Sequence, residues 1–328
     1  GILRRLMSPN VNFICVVFLC AAAEASIVGC IWSLFKLSSL RRSLRSRLFP
    51  TQLRCLAVAD LIFLFSVLPG ILVNNQMLTG LGDVTLNEVC KWSWAGLQLG
   101  RHLSLWIEMH IALTFMVQSA RLINYEQCRC ILPVLPLPCL VLTLYSFLNN
   151  PWTFDAVTTK TCFPSSWKAS ACPVSLADMI LCMGVCSCCY MVVVHRNRKT
   201  QCPGSVQAVG SRRAEMFIVN AFLTYTLILV MYLDARLYDN IYFRTVAGTM
   251  ENLGGLFNTV TYAMQSRYAR AFNGDNQTLN IHLGHRRISY PVGIGDTDIS
   301  DVTALSVMSS SAVSASQERH TIPSQQLL

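Results

Sequence analysis

The chain has 328 residues, of which 53% are hydrophobic and only 13% charged, and its mean hydropathy is +0.44. Soluble domains average about 25% charged residues, so most of this chain is not suited to face water. The net charge of +9 is spread between long apolar runs, which excludes a compact basic domain for nucleic-acid binding. The composition therefore indicates a protein that lies in a lipid membrane.

Seven apolar stretches are each long enough to cross about 30 Å of hydrocarbon as a helix. They cover approximately residues 11–35, 52–73, 92–123, 131–148, 174–194, 214–233 and 245–264. The third is the least hydrophobic, and the fourth contains three prolines. We predict an all-α membrane protein, a bundle of seven transmembrane helices. The first stretch is interpreted as a retained helix, because the apolar core of a signal peptide spans only about 7 to 15 residues.

The positions of Lys and Arg in the short loops predict the orientation of the bundle. With the amino terminus outside, fifteen of these residues lie on the inner side and seven on the outer side. We therefore expect a multi-pass protein of the plasma membrane with a cytoplasmic carboxyl terminus. Residues 1–10 are the external segment, expected to be truncated because the chain starts with Gly1. Residues 11–272 are the transmembrane domain, and the polar residues 273–328 are a disordered tail.

Most of the fifteen cysteines lie inside apolar stretches, where free thiols behave as small hydrophobic groups. We expect no metal site among them, because no His or carboxylate lies at ligand spacing. Three cysteines lie on the predicted outer side, where a disulfide is stable. Cys90 with Cys162 is the first choice and Cys90 with Cys172 the second; a third alternative leaves all three free.

Two motifs stand out, LAVADLIF in the second stretch and LGGLFNTVTYAMQSRYARAF at the last stretch. The first resembles the aspartate-centred second helix of G-protein-coupled receptors, and the second is similar to the N-P-x-x-Y helix of that superfamily followed by a short amphipathic eighth helix. Cys90 matches the superfamily's external bridge in position. The resemblance covers residues 11–272 and implies a receptor that senses an extracellular ligand and engages a heterotrimeric G protein.

The chain departs from the common receptor pattern in three places. The third stretch ends in MVQSARLINY without a D-R-Y triplet, the sixth lacks C-W-x-P, and Thr259 replaces the proline of the last helix. SIVGCIWSLF, HLSLWIEMHIALTF and GGLFNTVTYAM look more like the cyclic-AMP-receptor-like branch.

Asp60 is predicted to lie near the middle of the bilayer, where a carboxylate persists only with partners. Its expected partners are Asn258 and Ser26. We hypothesise that Asp60, Asn258 and Tyr262 form a switch core that holds water or a sodium ion; a static cluster that fixes helix register is the alternative. No cofactor is expected.

The third stretch carries the candidate ligand-binding residues. Arg101 and Glu108 are seven apart, on one helix face, and Arg101 suits an anionic group. His102 and Trp106 complete the set. In the alternative interpretation, Arg101 reaches the membrane interface and Glu108 pairs with a neighbouring helix. For His102 and His110, which could titrate near neutral pH, a structural role is favoured.

On the inner side, Arg121, Arg212 and Arg213 are expected to face the G protein, although anionic lipid would attract them equally. No motif of an enzyme active site is found. The last stretch contains no lysine to which retinal could be bound as a Schiff base. The main alternative is an ion- or proton-coupled transporter with buried carboxylates as a relay. The halves of the chain show no internal repeat, as transporters commonly do. A seven-helix scaffold without signalling is the third alternative.

Overall fold

The computed structural model describes residues 9–40, 42–74, 82–120, 125–149, 162, 173–199, 206–234, 236–237 and 240–264. Within these ranges all regular secondary structure is helical, which confirms the all-α class. The predicted eighth helix and the tail lie outside the described residues. The same holds for Cys172 and Arg121.

The long helices follow one another in the order of the predicted stretches. They are α1 (Pro9–Ser38), α2 (Leu48–Asn74), α3 (Asp83–Ala120), α4 (Pro136–Asn149), α5 (Pro173–Lys199), α6 (Val206–Leu233) and α7, which comprises Ile241–Asn252 and, after a turn at Leu253, residues 254–264. Short helices at Arg42–Arg45 and Tyr125–Ile131 and a 3-10 turn at Leu132–Val134 lie between them. Helices α1, α4 and α5 begin at a proline, the residue that lacks the N–H group left unpaired in a first turn.

Among the described residues, four helical segments are long and apolar enough to cross a membrane: Phe13–Ser38, Leu48–Val73, Gln127–Leu148 and Pro173–Arg196. Val219–Leu233 in α6 is a shorter apolar segment. Many large apolar side chains of α1 and α4 point away from the bundle, among them Phe35 and Leu148, which are 69% and 71% exposed. The chain is therefore a multi-pass membrane protein by the length and composition of its helices.

Two helices, α3 and α6, begin eight or nine residues earlier than the hydropathy predicts. Helix α3 starts at Asp83 rather than at residue 92, and its 38 residues span about 57 Å at 1.5 Å per residue. Cys90 consequently lies within α3 and not before it. Helix α6 starts at Val206, so Arg212 and Arg213 belong to a helix rather than to a loop. Hydropathy misses both starts because polar residues, DVTLNE in α3 and GSRR in α6, separate them from the apolar stretches.

A disulfide joins Cys90 to Cys162, with their Cα atoms 5.1 Å apart. This is the pair that the sequence favours first. The bridge attaches the segment between α4 and α5 to the second turn of α3.

The helices form a closed ring. Helix α1 packs on α2 and α7, α3 packs on α2 and α5, and α6 packs on α5 and α7, while α4 packs on α3 from outside the ring. The side-chain contacts also define helix directions. Asp60 meets Ser104 whereas Gln52 meets His110, so α2 and α3 run antiparallel.

Corresponding contacts give the direction of the remaining helices of the ring. Gln98 meets Ser175 and His102 meets Asp178, so α3 and α5 are parallel. Helix α7 runs parallel to α1, since Leu19 pairs with Asn252 and Ser26 with Leu256. It runs antiparallel to α6, in which Asn220 meets Thr261 and Thr224 lies against Gly254.

Two glycines allow α2 and α3 to approach closely. A Cβ atom at Gly100 would lie 2.6 Å from Cα of Phe63, and one at Gly96 would lie 2.9 Å from Cβ of Ser66. These glycines are four residues apart and therefore lie on one face of α3. Small residues at this spacing let helix backbones touch in a membrane, where dispersion contacts replace the hydrophobic effect.

We predict that Gly100→Ala lowers the free energy of unfolding by about 1–3 kcal/mol, because the added methyl group overpacks the α2–α3 contact. Gly184→Ala in α5 is the matched control, since no atom lies within 4 Å of a Cβ placed there. It is expected to be neutral or to raise the stability by about 0.5–1 kcal/mol. Thermal unfolding of both variants in detergent is the measurement, and equal melting temperatures would contradict the close approach.

Candidate functional site

Helix α3 carries a column of buried polar side chains, each of which meets a partner outside α3. In lipid a polar group without water must find its partner inside the protein. The buried members of this column are Gln98, Arg101, His102, Ser104, His110 and Thr114. Their partners lie on α2, α5, α6 and α7.

Asp60 is the centre of the first cluster and is 7% exposed. Its Oδ1 atom accepts a hydrogen bond from Ser104 Oγ at 2.6 Å, and its Oδ2 atom accepts one from Asn258 Nδ2 at 3.2 Å. The carboxylate therefore connects α2, α3 and α7. The structure brings Asp60 and Asn258 together as the sequence predicts.

Ser26 has a different role from the one predicted. Its Oγ atom accepts a hydrogen bond from the backbone N–H of Leu256 at 3.0 Å, just after the turn at Leu253. The expectation that Ser26 pairs with Asp60 is wrong, because Ser104 supplies that hydroxyl. Gly255 permits the close packing here, since a Cβ atom at this position would lie 2.6 Å from Cys30 Sγ.

Tyr262 lies one turn beyond Asn258 and packs against the core cluster that contains Tyr190 and Phe217. Together with Asp60 and Asn258 it lines a cavity of about 10 Å³. This volume is at the lower limit for one water molecule. A sodium ion near Asp60 stays a prediction.

Glu108 approaches the same cluster from α3. Its side chain is half-buried, and its carboxylate interacts electrostatically with the Asn258 side chain. The Asn258 amide thus lies between two carboxylates, those of Asp60 and Glu108. This geometry agrees with the alternative in which Glu108 pairs with a neighbouring helix.

Arg101 forms the second cluster and is only 4% exposed. Its Nε donates to Glu251 Oε1 at 2.6 Å, and its Nη1 donates to Tyr232 Oη at 3.0 Å. The guanidinium carbon also lies 5.9 Å from the ring centroid of Phe63 and 5.8 Å from that of Tyr232, within the range of cation–π attraction. Arg101 points into the bundle, so the alternative in which it reaches the membrane interface is wrong.

His102 and Trp106 form the third cluster, with Asp178 of α5 at its centre. The His102 Nδ1 and Asp178 Oδ2 atoms are 2.5 Å apart, and Trp106 Nε1 donates to Asp178 Oδ1 at 2.8 Å. His102 is fully buried. Both predicted ligand candidates therefore connect α3 to α5.

His110 is held in one tautomer by its two partners. Gln52 Nε2 lies 2.7 Å from Nδ1, and the Cys128 carbonyl oxygen lies 2.9 Å from Nε2. Because the amide nitrogen donates and the carbonyl accepts, the proton lies on Nε2. His110 is thus a structural residue, the role that the sequence favoured.

Glu251 and Tyr232 were not identified from the sequence. A spacing signal was nevertheless present: Glu251 and Asn258 are seven apart on α7, as Arg101 and Glu108 are on α3. Two parallel helices with polar residues at the same seven-residue interval can pair twice on one face.

No protein-family model matches this chain, and a search of curated proteins finds no match. The functional conclusion therefore rests on the chemistry of the three clusters and on the residue motifs.

We predict that Ser104→Ala lowers the free energy of unfolding by about 1.5–3 kcal/mol, the range for a hydrogen bond to a charged group. Ser187→Ala is the matched control, because the Ser187 hydroxyl donates only to the Met183 carbonyl of its own helix in the described structure. Its expected effect is within about 0.5 kcal/mol. Unfolding in mixed bicelles measures both; equal losses would show that the Asp60 cluster does not depend on Ser104.

Proposed function

We propose that this protein is a seven-helix receptor of the G-protein-coupled type, most like the cyclic-AMP-receptor-like branch, with its amino terminus outside the plasma membrane. The observation that carries the proposal is the buried contact of Asp60 with Asn258, next to the turn that divides α7. It joins the two motifs on which the resemblance to receptors depends.

The directions of the helices support seven crossings. Helices α1, α3, α5 and α7 run one way, and α2 and α6 run the other way, as their paired side chains require. Two parallel helices of one chain have an odd number of membrane crossings between them. This favours one crossing by α4 between the parallel helices α3 and α5, and one by α6 between α5 and α7. The termini of the chain then lie on opposite sides.

The two parts of α7 have separate attachments. Ile241–Asn252 is held by the Glu251 contact with Arg101 and by Asn252, which donates to the Leu19 carbonyl oxygen at 3.3 Å. Residues 254–264 are held by Asn258 and by Thr259, whose Oγ1 accepts a hydrogen bond from Ser33 at 3.0 Å. A helix attached separately above and below a turn is suited to two alternative packings.

In the proposed mechanism, an extracellular ligand binds between the helices below the segment held by the Cys90–Cys162 bridge. It favours one packing of the two parts of α7, and that packing opens a cytoplasmic crevice for a heterotrimeric G protein. The ligand shifts this equilibrium only by its differential affinity for the two packings. Arg121, Arg212 and Arg213 are the proposed contacts on the cytoplasmic side.

A transporter is the second candidate, because four carboxylates lie within the described bundle: Asp60, Glu108, Asp178 and Glu251. Such residues serve proton or ion relays in membranes. Three of them, Asp60, Asp178 and Glu251, are hydrogen-bonded to a side chain of another helix, an arrangement that favours a fixed or two-state contact over a continuous path.

An epitope tag at the amino terminus is expected to bind antibody on intact cells, while a tag at the carboxyl terminus should require permeabilisation. The reason is the odd number of crossings that the helix directions imply. Detection of both tags on the same side would contradict seven crossings.

Asp60→Asn is expected to reduce ligand-evoked G-protein dissociation at least tenfold while surface expression remains, because a neutral amide removes the charge that the two packings hold differently. Glu88→Gln is the control, since Glu88 belongs to an exposed pair with Lys91. The assay screens nucleotides, amino acids and lipids, with substrate flux measured in parallel. Unchanged signalling by Asp60→Asn would remove the switch, and flux without G-protein dissociation would favour the transporter.

A further inference from the structure

The buried ion pair between α3 and α7 is held unequally on its two sides. Arg101 has four contacts: the Glu251 carboxylate, the Tyr232 hydroxyl and the faces of two aromatic rings. In the described part of the chain, Glu251 makes its side-chain hydrogen bond to Arg101 alone, through Oε1. Of the two partners, the carboxylate is therefore the one that can leave.

The pair also lies close to the outer end of the bundle in the proposed orientation. Tyr232, which contacts Arg101, is the last residue but one of α6. The neighbouring His102 meets Asp178 in the second turn of α5. The guanidinium is thus one to two turns below the ends of α5 and α6, while Glu251 lies ten residues, about 15 Å, below the start of α7.

A cavity of about 20 Å³ adjoins the pair. Polar groups that line it include Ser104, Thr224, Tyr225 and Asn252. The cavity accommodates about one water molecule, and withdrawal of the Glu251 side chain would enlarge it on the side that faces Arg101.

We infer that Arg101 is an anion-binding site that the Glu251 side chain occupies in the free protein, and that the ligand carries a carboxylate or phosphate group that takes the place of Glu251. The inference rests on the proposed receptor function and names the chemical class of its ligand. Arg101 presents planar N–H donors that match either group. A cationic ligand is disfavoured, because it would have to remove Arg101 from all four contacts.

The exchange has a structural consequence for α7. Glu251 lies two residues before the turn at Leu253, in the outer part of the helix. Its release removes the contact of that part with α3, while Asn258 still holds residues 254–264 to Asp60. Ligand binding and the movement of the outer part of α7 would then be one event.

The test measures anion binding to the full-length protein in nanodiscs of zwitterionic lipid at constant ionic strength. The probes are inorganic phosphate and acetate, with methylammonium as the cationic comparison. A tethered carboxylate competes at an effective concentration of the order of millimolar, so Glu251→Gln should bind one or both anions at least tenfold more tightly than the unsubstituted protein. Arg101→Gln and the double variant Arg101→Gln/Glu251→Gln should show no such binding.

The Glu88→Gln protein is the matched control for removal of a carboxylate, and its affinity should be unchanged. Preference for phosphate or for acetate identifies the ligand group, and either result supports the site. Equal anion affinity of Glu251→Gln and the unsubstituted protein would overturn it, as would tight anion binding by the double variant or gain of methylammonium binding in place of anion binding.

A second variant keeps the inference testable where Glu251→Gln fails to fold. Glu251→Asp retains the charge but withdraws the carboxylate by one methylene, so a smaller gain in anion affinity is expected, and no gain overturns the site. Failure of the receptor proposal has a different signature. Tighter anion binding by Glu251→Gln without any G-protein dissociation would retain the anion site and reject the receptor.

Discussion

A carboxylate buried among helices in lipid has to be stabilised by hydrogen bonds from neighbouring helices, and the arrangement of this bundle depends on how Asp60 meets that requirement. A charged residue at the centre of a membrane helix costs about 2.5–3.5 kcal/mol. Each hydrogen bond to a charged group returns about 1.5–3 kcal/mol, so the two donors, Ser104 and Asn258, are sufficient to offset the cost. Both bonds require α3 and α7 to keep a fixed height and rotation relative to α2.

The same reasoning extends along α3. Apolar helices in lipid have little preference for one register, because lipid chains are as apolar as the side chains they replace. The polar pairs supply the missing specificity: Arg101 fixes α7 and α6, His102 fixes α5, and His110 fixes α2. Gly100 complements them by allowing the backbones of α2 and α3 to approach closely. The least hydrophobic helix is therefore the one that orders its neighbours.

The sequence predicts the helical class, the order of the helices and the contact of Asp60 with Asn258, because hydropathy and short motifs carry that information. It does not predict which hydroxyl donates to Asp60. Ser26 and Ser104 have the same side chain, and the rotation of each helix decides which of them points at Asp60. The sequence does not predict the role of Glu251 for a similar reason. In the sequence Glu251 only interrupts an apolar stretch, and the register of α3 against α7 is needed to show that it pairs with Arg101. Partner choice in a bundle is a property of rotation and height, which composition does not record.

The energetics of the Arg101 contact explain why exchange, rather than simple release, is the reasonable way to move the outer part of α7. Removing one partner of a buried ion pair costs about 3–5 kcal/mol, because the other charge is left without compensation. Coupling between sites in proteins is typically about 1–3 kcal/mol, which is too little to supply that cost. A ligand anion that binds the guanidinium as Glu251 leaves keeps Arg101 paired throughout. The free-energy cost is then only the difference between the Arg101–Glu251 contact and the Arg101–ligand contact. The carboxylate that leaves must itself be hydrated or protonated, and the cavity of about 20 Å³ that Glu251 lines accommodates about one water molecule.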